Sequence, residues 1–283
     1  MRRPFLHRAV LAPAFRMAFC VASNVASQFA SHVASHVALC AALCVGLCLP
    51  LQAGAQELTI SAASSLGNAM RDIGNTYQAA HPGVKLSFNF AASGALLAQL
   101  QQGAPVDVFA SADLDTMDRA EAARLTRPET RMNFAANELV LVSPLARPPA
   151  ARTLAGLAGA SVQRIAVGTP SSVPAGRYAQ AALEAQGLWV AVLPKLVFAD
   201  NVRQALNYVS RAEVDAALVY RTDALIDKAQ VRIDAVLPTA QPVLYPIAVV
   251  AQSRHAVAAA EFVRFVAGPP GQAVLARHGF RSP

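Results

Sequence analysis

From Glu57 onwards, short apolar runs alternate with stretches in which apolar residues recur at helical spacing. Three runs predict strands: ELTISAAS, VKLSFNF and VDVFASAD. The segments that follow them predict helices: SLGNAMRDIGNTYQAAH, SGALLAQLQQG and LDTMDRAEAARL. Asp113 directly precedes the third helix and is a plausible cap for it. This β-α-β-α-β order predicts a mostly parallel sheet covered by helices, and therefore an α/β fold.

The second half of the chain shows the same alternation without repeating the sequence. Its predicted strands are ELVLVSP, RIAVGTP, KLVFA, VDAALVY, VRIDAVL and YPIAVVAQ. Its predicted helices are TLAGLA, PAGRYAQAALEAQGLW, NVRQALNYVSR, AVAAAEFVRFVAG and GQAVLARHGF. Two α/β lobes of about 100 residues each fit this count. We expect residues 56–137 and 247–283 to form lobe 1 and residues 138–246 to form lobe 2, with ELVLVSP and YPIAVV as the two crossover strands between them.

The first 55 residues have a different character. They contain four arginines and no acid, continue through the low-complexity run VASNVASQFASHVASHVA, and end in the apolar stretch ALCAALCVGLCLPLQAGA. Ala53-Gly54-Ala55 has the A-x-A cleavage pattern, so we predict a secretory signal peptide, cut after Ala55, and a periplasmic location. The alternative is an N-terminal membrane anchor, for which the apolar run is short against a span of about 20 residues. The export route stays open.

Removal of this leader changes the charge and the cysteine content. The leader carries four of the 24 Lys and Arg residues and none of the 17 acids, so the net charge falls from +7 to +3. All four cysteines also lie in the leader, which leaves no disulfide or thiolate ligand in the mature chain. No Lys/Arg run remains to support nucleic-acid binding. His81, His255 and His278 lack the spacing of metal ligands, so a metal-cation site is disfavoured.

Four predicted strand-to-helix junctions share one chemistry. Ser65 lies in AASSLG, Ser93 in FAASGAL, Ala175 in SSVPAGRY and Val202 in ADNVRQ. Each offers small residues, hydroxyls or backbone N–H groups at a helix start, which can bind an anion. Any one serine could instead cap only its own helix. Four such junctions, shared between two lobes, favour an anion site in the cleft between them.

With these motifs in place, the chain resembles the periplasmic molybdate-binding proteins of ABC transporters, within the two-lobed solute-binding superfamily. The motifs that carry the resemblance cover nearly all of the mature chain in family order: AASSLGNAMRDI, FAASGALLAQLQQGAPVDVFASAD, VGTPSSVPAGRYAQAALEAQG, DNVRQAL, ALVYRTDA, YPIAVV and ARHGF. The resemblance implies the type II periplasmic binding protein fold, with two lobes, each a mostly parallel sheet flanked by helices, and two crossover strands.

The resemblance also implies how the oxyanion is held. In that family two serine hydroxyls of the first lobe, backbone amides of the second lobe and a tyrosine hydroxyl surround the ligand. The matching positions in this sequence are Ser65, Ser93, Ala175, Val202 and Tyr220. On pattern alone, a tyrosine that ends an apolar strand, as Tyr220 does, would be a half-buried core residue.

One departure from the family pattern concerns the second serine. Relatives often carry a run of serines there, whereas Ala92 and Gly94 flank Ser93 in this chain. The additional hydroxyls of the family pattern are therefore absent at this position, and the Gly94 N–H could bond the ligand directly. Arg177 lies one turn into its predicted helix, and we expect it at the surface rather than on the anion.

The function implied by the resemblance is capture of molybdate, and of tungstate, for delivery to a membrane permease. We expect a monomer that has no cofactor and catalyses no reaction. The alternatives are the same fold binding sulfate, phosphate or ferric ion, and a serine hydrolase. Iron receptors use clustered tyrosines, whereas the five tyrosines are scattered here, and a hydrolase would need a G-x-S-x-G elbow, which this sequence lacks.

Overall fold

The computed structural model describes residues 56–283, so the predicted signal peptide and its cleavage site lie outside the described residues. The strands of this part are β1 (Gln56–Ala63), β2 (Val84–Ala91), β3 (Val108–Ala110), β4 (Met132–Asn137), β5 (Leu139–Pro144), β6 (Ile165–Gly168), β7 (Leu196–Ala199), β8 (Ala216–Tyr220), β9 (Val231–Leu237) and β10 (Val243–Val249). The α-helices are α1 (Gly67–Ala80), α2 (Ser93–Gln101), α3 (Leu114–Ala122), α4 (Pro174–Ala185), α5 (Trp189–Val192), α6 (Val202–Ser210), α7 (Arg221–Ile226), α8 (Ala256–Ala267) and α9 (Pro269–Arg277). Short 3-10 turns cover Ser64–Leu66, Pro128–Thr130, Ala155–Ala158 and Leu193–Lys195.

The strands form two five-stranded sheets with the same design. Sheet A has the order β2-β1-β3-β10-β4, and sheet B has the order β7-β6-β8-β5-β9. In each sheet the first three strands are parallel, whereas the fourth, β10 in sheet A and β5 in sheet B, is antiparallel to both of its neighbours. The predicted mostly parallel sheets are therefore present, each with one reversed strand. We call sheet A with its helices lobe A, and sheet B with its helices lobe B.

The chain passes between the sheets twice. It leaves sheet A after β4, crosses at Glu138 and enters sheet B as β5, and it returns through residues 238–242 to enter sheet A as β10. The two strands that enter a new sheet are those that we predicted to cross between lobes. Because β10 belongs to sheet A over its whole length, the predicted boundary between residues 246 and 247 falls inside that strand.

Burial explains why these segments form their elements. Leu58 and Ile60 in β1 are fully buried, since this strand has a neighbour on each side and helices on its faces. The predicted apolar face of α1 is buried as well: Met70, Ile73 and Tyr77 pack into the core at helical spacing. Asp113 caps α3 as predicted, because its side chain accepts a hydrogen bond from the Thr116 N–H.

Three local features differ from the sequence expectations. The strand β4, at the edge of sheet A, was not predicted, because four residues of its sequence MNFAAN are Asn or Ala, which are poor strand formers. The six-residue helix α7 directly follows β8 and was also not predicted. The segment TLAGLA forms only the 3-10 turn Ala155–Ala158. Within residues 56–283, the helices are all too short or too polar to cross a membrane.

The parallel strands place four helix starts at neighbouring sheet edges. In sheet A, β1 and β2 end side by side at Ala63 and Ala91, and the turn before α1 and the start of α2 follow directly. In sheet B, β6 and β7 pair over their whole length and are followed by α4 and α6. Since ligands bind beyond the carboxyl ends of parallel strands, this topology marks the region in which a site is expected.

Substitution of Gly271 tests the packing of the two C-terminal helices, α8 and α9, that cover sheet A. It lies in α9, where a Cβ would come within 2.2 Å of the Val266 carbonyl oxygen at the end of α8. We predict that Gly271→Ala lowers the free energy of unfolding by about 1–3 kcal/mol, because the backbone of α8 must move. Urea unfolding followed by circular dichroism measures the change.

Gly83→Ala is the matched control. A Cβ at Gly83 meets no atom within 4 Å, so this substitution should change the free energy of unfolding by less than about 0.5 kcal/mol. Equal urea midpoints for the Gly271→Ala variant and the wild type would contradict the proposed close packing of α8 and α9.

Candidate functional site

The five residues selected from the sequence line one cavity between the two lobes. Ser65 and Ser93 come from lobe A, whereas Ala175, Val202 and Tyr220 come from lobe B. The cavity is narrow, with a volume of about 10 Å³. The other residues of its wall are all small or apolar: Ala63, Ser64, Ala91, Ala92, Ala112, Val173 and Pro174. The wall therefore contains hydroxyl and peptide groups and no charged side chain.

The two serines are buried and each already interacts with the protein. Ser65 lies in the 3-10 turn before α1, and its Oγ is 3.2 Å from the Tyr245 hydroxyl. Ser93 is the first residue of α2, and its Oγ accepts a hydrogen bond from the Ala112 N–H at 3.0 Å. A serine hydroxyl that accepts a protein hydrogen bond keeps its own hydrogen to donate. Ser93 is thereby oriented as a donor towards the cavity.

Helix starts bring peptide N–H groups to the lobe B wall. The helix α4 begins with Pro174, which has no N–H, so Ala175 supplies the first N–H of that helix. At the start of α6, the Asn201 side chain accepts from the N–H groups of Arg203 and Gln204. The first three N–H groups of α6 have no acceptor within the helix. Val202 supplies the one of these three that the Asn201 side chain does not bind. Both helix starts also direct the positive end of the helix dipole to the cavity.

Tyr220 ends β8 and is almost fully buried, rather than half-buried as its sequence pattern alone would suggest. Its hydroxyl donates to the Ala112 carbonyl of lobe A at 3.1 Å, so it connects the lobes across the cavity. Burial raises the pKa of Tyr220 well above its usual value of 10, so the phenol remains protonated and able to donate.

Further contacts close the lobes around the cavity. The Gly94 N–H of lobe A donates to the Ser172 carbonyl of lobe B at 2.9 Å. This group, which we considered as a direct ligand contact, is therefore engaged by the other lobe. A Cβ at Gly94 would lie 2.6 Å from the same carbonyl oxygen, so only glycine permits this approach.

Two arginines join the lobes beside the cavity and are not part of its wall. Arg177 in α4 pairs with Asp113 of lobe A, with Nη2 and Oδ2 2.6 Å apart. Our expectation of a surface position for Arg177 is wrong, because this ion pair and a bond to Thr116 hold the guanidinium partly buried between the lobes.

Arg203 has the same role at the other helix start. It donates to the Ser65 carbonyl at 3.0 Å and to Asn68 Oδ1 at 2.9 Å, both in lobe A, and it pairs with the buried Asp223 of lobe B. Burial raises the pKa of Asp223, against the opposing effect of the Arg203 charge. Each arginine next to the cavity thus has an acid as partner.

Arg203 and Tyr245 were not predicted from the sequence to belong to this region. Arg203 directly follows Val202 in DNVRQAL, and Tyr245 begins YPIAVV. The available signal was that both residues lie in motifs that carry the family resemblance. Tyrosines that are scattered in sequence also come together: the rings of Tyr178 and Tyr220 are 6.5 Å apart, and those of Tyr220 and Tyr245 are 5.7 Å apart.

The described part of the chain shows no cluster of three or more His, Cys, Asp or Glu side chains that could bind a metal ion. The cavity instead presents hydrogen-bond donors of neutral groups. An arrangement of this kind can bind an anion whose oxygens only accept hydrogen bonds.

The sequence matches known proteins over most of its length. The sequence profile of the family described as bacterial extracellular solute-binding protein matches residues 58–281. The molybdate-binding protein ModA of Escherichia coli (strain K12) is 37% identical over 230 residues, which cover 79% of this chain and 88% of that protein. The resemblance drawn from the sequence motifs is therefore confirmed.

Solved structures confirm the fold. The periplasmic molybdate-binding protein of Azotobacter vinelandii matches with a TM-score of 0.69 at 22% identity, over 80% of this chain and 99% of that chain. The sulfate-binding protein SubI of Mycobacterium tuberculosis H37Rv matches with a TM-score of 0.72 at 17% identity, over 80% of this chain and 87% of that chain. Both show the predicted two-lobed type II architecture. The family profile and the Escherichia coli relative establish that the chain belongs to the bacterial extracellular solute-binding protein family.

Proposed function

We propose that this protein captures molybdate, and also tungstate, in the cavity between its lobes and delivers it to the membrane permease of an ABC transporter. Ser65 and Ser93 donate from lobe A, and the Ala175 and Val202 N–H groups donate from lobe B. The Tyr220 hydroxyl of lobe B also donates, and to do so its single hydrogen turns from the Ala112 carbonyl to the anion. Binding is the whole activity: the protein uses no cofactor and catalyses no reaction. The Escherichia coli relative, named as a molybdate-binding protein, supports this assignment.

One observation carries the proposal. The cavity wall takes donors from both lobes and contains no charged side chain. A buried dianion without a charged partner must have its oxygens hydrogen-bonded, because each unmet oxygen would lose its hydration without replacement. Hydroxyls and helix N-termini provide such bonds, and an anion bound to both lobes holds them closed.

Size separates the candidate oxyanions. Molybdate and tungstate are larger tetrahedra than sulfate and phosphate. Donors held in place by the interlobe contacts of Gly94, Arg177 and Arg203 leave long hydrogen bonds around a smaller ion. The similarity to a sulfate-binding protein concerns the fold alone. Sulfate remains the second candidate because it is also a tetrahedral oxyanion, and not because the geometry of the site favours it.

Ferric ion is the less favoured ligand even though three tyrosines come together. A ferric site needs phenolate oxygens, whereas burial raises the pKa of both Tyr220 and Tyr245 well above the usual value. The Tyr220 hydroxyl is also engaged as a donor. These features favour an anion over a hard cation.

Export and delivery complete the proposal. The predicted signal peptide is removed after Ala55, and the mature protein acts as a monomer in the periplasm, where it meets the permease. Membership of an extracellular solute-binding family supports a location outside the cytoplasm. The net charge of +3 expected after cleavage, with no basic run, gives no support for nucleic acid as a further partner.

The ligand series is the first test. We predict that molybdate and tungstate bind the mature protein at least about 100-fold more tightly than sulfate or phosphate, a difference of about 2.7 kcal/mol. Isothermal titration calorimetry with each anion, and with ferric citrate, measures the affinities. Sulfate binding as tightly as molybdate would refute the selectivity and favour the second candidate.

Tyr220→Phe tests the single phenol of the site. We predict that it weakens molybdate binding by about 1–3 kcal/mol, because a hydrogen bond to a charged ligand is lost. Calorimetric titration gives the change. Tyr77→Phe is the matched control, since Tyr77 is equally buried, lies in the core of lobe A and has a hydroxyl without a hydrogen-bond partner. If both variants bind as the wild type does, Tyr220 is not part of the site.

Gly94→Ala tests lobe closure. The three atoms nearest to the added Cβ all belong to Ser172 of the other lobe, so closure would cost about 1–3 kcal/mol. We expect molybdate affinity to fall accordingly while the melting temperature of the ligand-free protein changes little. Gly83→Ala, which adds a Cβ in open space, should keep wild-type affinity. Unchanged affinity of the Gly94→Ala variant would show that this contact is not required for binding.

A further inference from the structure

A series of hydrogen bonds leads from the crossing between the lobes to Ser65, and the donor and the acceptor of each bond are defined. The Glu138 N–H donates to Asn137 Oδ1 at 2.9 Å, which fixes the orientation of the Asn137 amide at the end of β4. The amide nitrogen Nδ2 then faces the interior and donates to Tyr245 Oη at 3.1 Å and to Thr222 Oγ1 at 2.8 Å. An amide nitrogen can only donate, so the Tyr245 oxygen is an acceptor here.

The next hydrogen bond in this series joins Tyr245 to Ser65. The Tyr245 hydroxyl has two partners, the Asn137 amide and Ser65 Oγ, and only Ser65 can accept the phenolic hydrogen. Ser65 Oγ is therefore an acceptor from the protein, and its own hydrogen is left for the cavity that it lines. The second serine, Ser93, reaches the same state through a different donor, the Ala112 N–H.

The surroundings hold Tyr245 in this role. Its side chain is fully buried, and its ring makes edge contacts with Phe134, Tyr220 and Phe280 at centroid distances of 5.4 to 6.4 Å. Burial raises the pKa of Tyr245, so the hydroxyl keeps its hydrogen at neutral pH. Neither the ring nor the hydroxyl can turn away without breaking these contacts.

We propose that Asn137 and Tyr245 are positioning residues that turn the Ser65 hydroxyl into a fixed donor for the bound oxyanion, although neither residue lines the cavity. The role rests on the proposed function and extends it beyond the residues that face the ligand. Without the hydrogen bond from Asn137 to Tyr245, the Ser65 hydroxyl could donate its hydrogen to Tyr245. Its lone pairs would then face the anion and repel the anion. Ordering the donor before binding lowers the cost of association.

A double-mutant cycle separates positioning from general damage. We expect Tyr245→Phe to weaken molybdate binding roughly tenfold, or about 1.4 kcal/mol, the size of one hydrogen bond. In a Ser65→Ala background the same substitution should change the affinity by less than about twofold, because the hydroxyl that Tyr245 orients is gone. Calorimetric titration of the four mature proteins with molybdate gives the cycle.

Asn137→Leu is the second variant and keeps the test available if Tyr245→Phe does not fold. It removes the amide donor without adding charge, and we expect a loss of molybdate affinity that also disappears in the Ser65→Ala background. Tyr77→Phe is the control for loss of a buried phenolic hydroxyl, and it should bind molybdate as the wild type does. Circular dichroism and melting temperatures confirm that each variant is folded.

The outcomes of these titrations separate failure of the positioning role from failure of the proposed function. A wild type that binds molybdate, with a Tyr245→Phe loss of equal size in both backgrounds, or with no loss, would overturn the positioning role and leave the proposed function intact. A wild type that binds none of the tested oxyanions would overturn the proposed function, and the positioning role with it. Coupling between Tyr245 and Ser65, with an unaffected Tyr77→Phe control, would establish the role.

Discussion

A dianion in a closed cavity of neutral groups is stable only if hydrogen-bond donors meet its oxygens, and this requirement accounts for the organisation of the protein around its proposed ligand. Side-chain hydroxyls supply some donors, and helix starts supply the others. Helix starts converge only where parallel strands end at the same sheet edge, as β1 and β2 do in sheet A and β6 and β7 in sheet B. The parallel topology of both lobes is therefore a condition for the site.

The arginines next to the cavity lie outside its wall, and each is paired with an acidic side chain. Arg177 pairs with Asp113 and Arg203 with Asp223, and the two arginines also make hydrogen bonds that connect the lobes. Partly buried guanidinium groups with acidic partners add little net charge to the cavity, and their directional bonds define the closed arrangement. In the proposed function, this separation leaves recognition of the ligand to neutral donors. The lobes are joined beside the cavity by the Arg177–Asp113 ion pair and by the hydrogen bonds of Arg203 to Ser65 and Asn68.

Local patterns were sufficient for most elements and insufficient for their arrangement. The strands β1 and β2 and the helix α1 follow from apolar patterns that are visible in the sequence. The edge strand β4 was missed because Asn and Ala, which make up four of its six residues, are poor strand formers. The reversed direction of β5 and β10 depends on pairing with strands far away in the sequence, which no local pattern encodes.

The sequence by itself determined the α/β class, the helix starts with their hydroxyls and small residues, and, through its resemblance to a family, the five residues proposed to hold the oxyanion. Only the tertiary structure decided that these five lie around one cavity, that Arg177 joins the lobes, and that Asn137 and Tyr245 stand behind Ser65. The physical reason is range. Helix and strand periods are set by neighbours within a few residues. The Ser65–Tyr245, Asn137–Tyr245 and Arg177–Asp113 contacts instead join residues more than 60 positions apart.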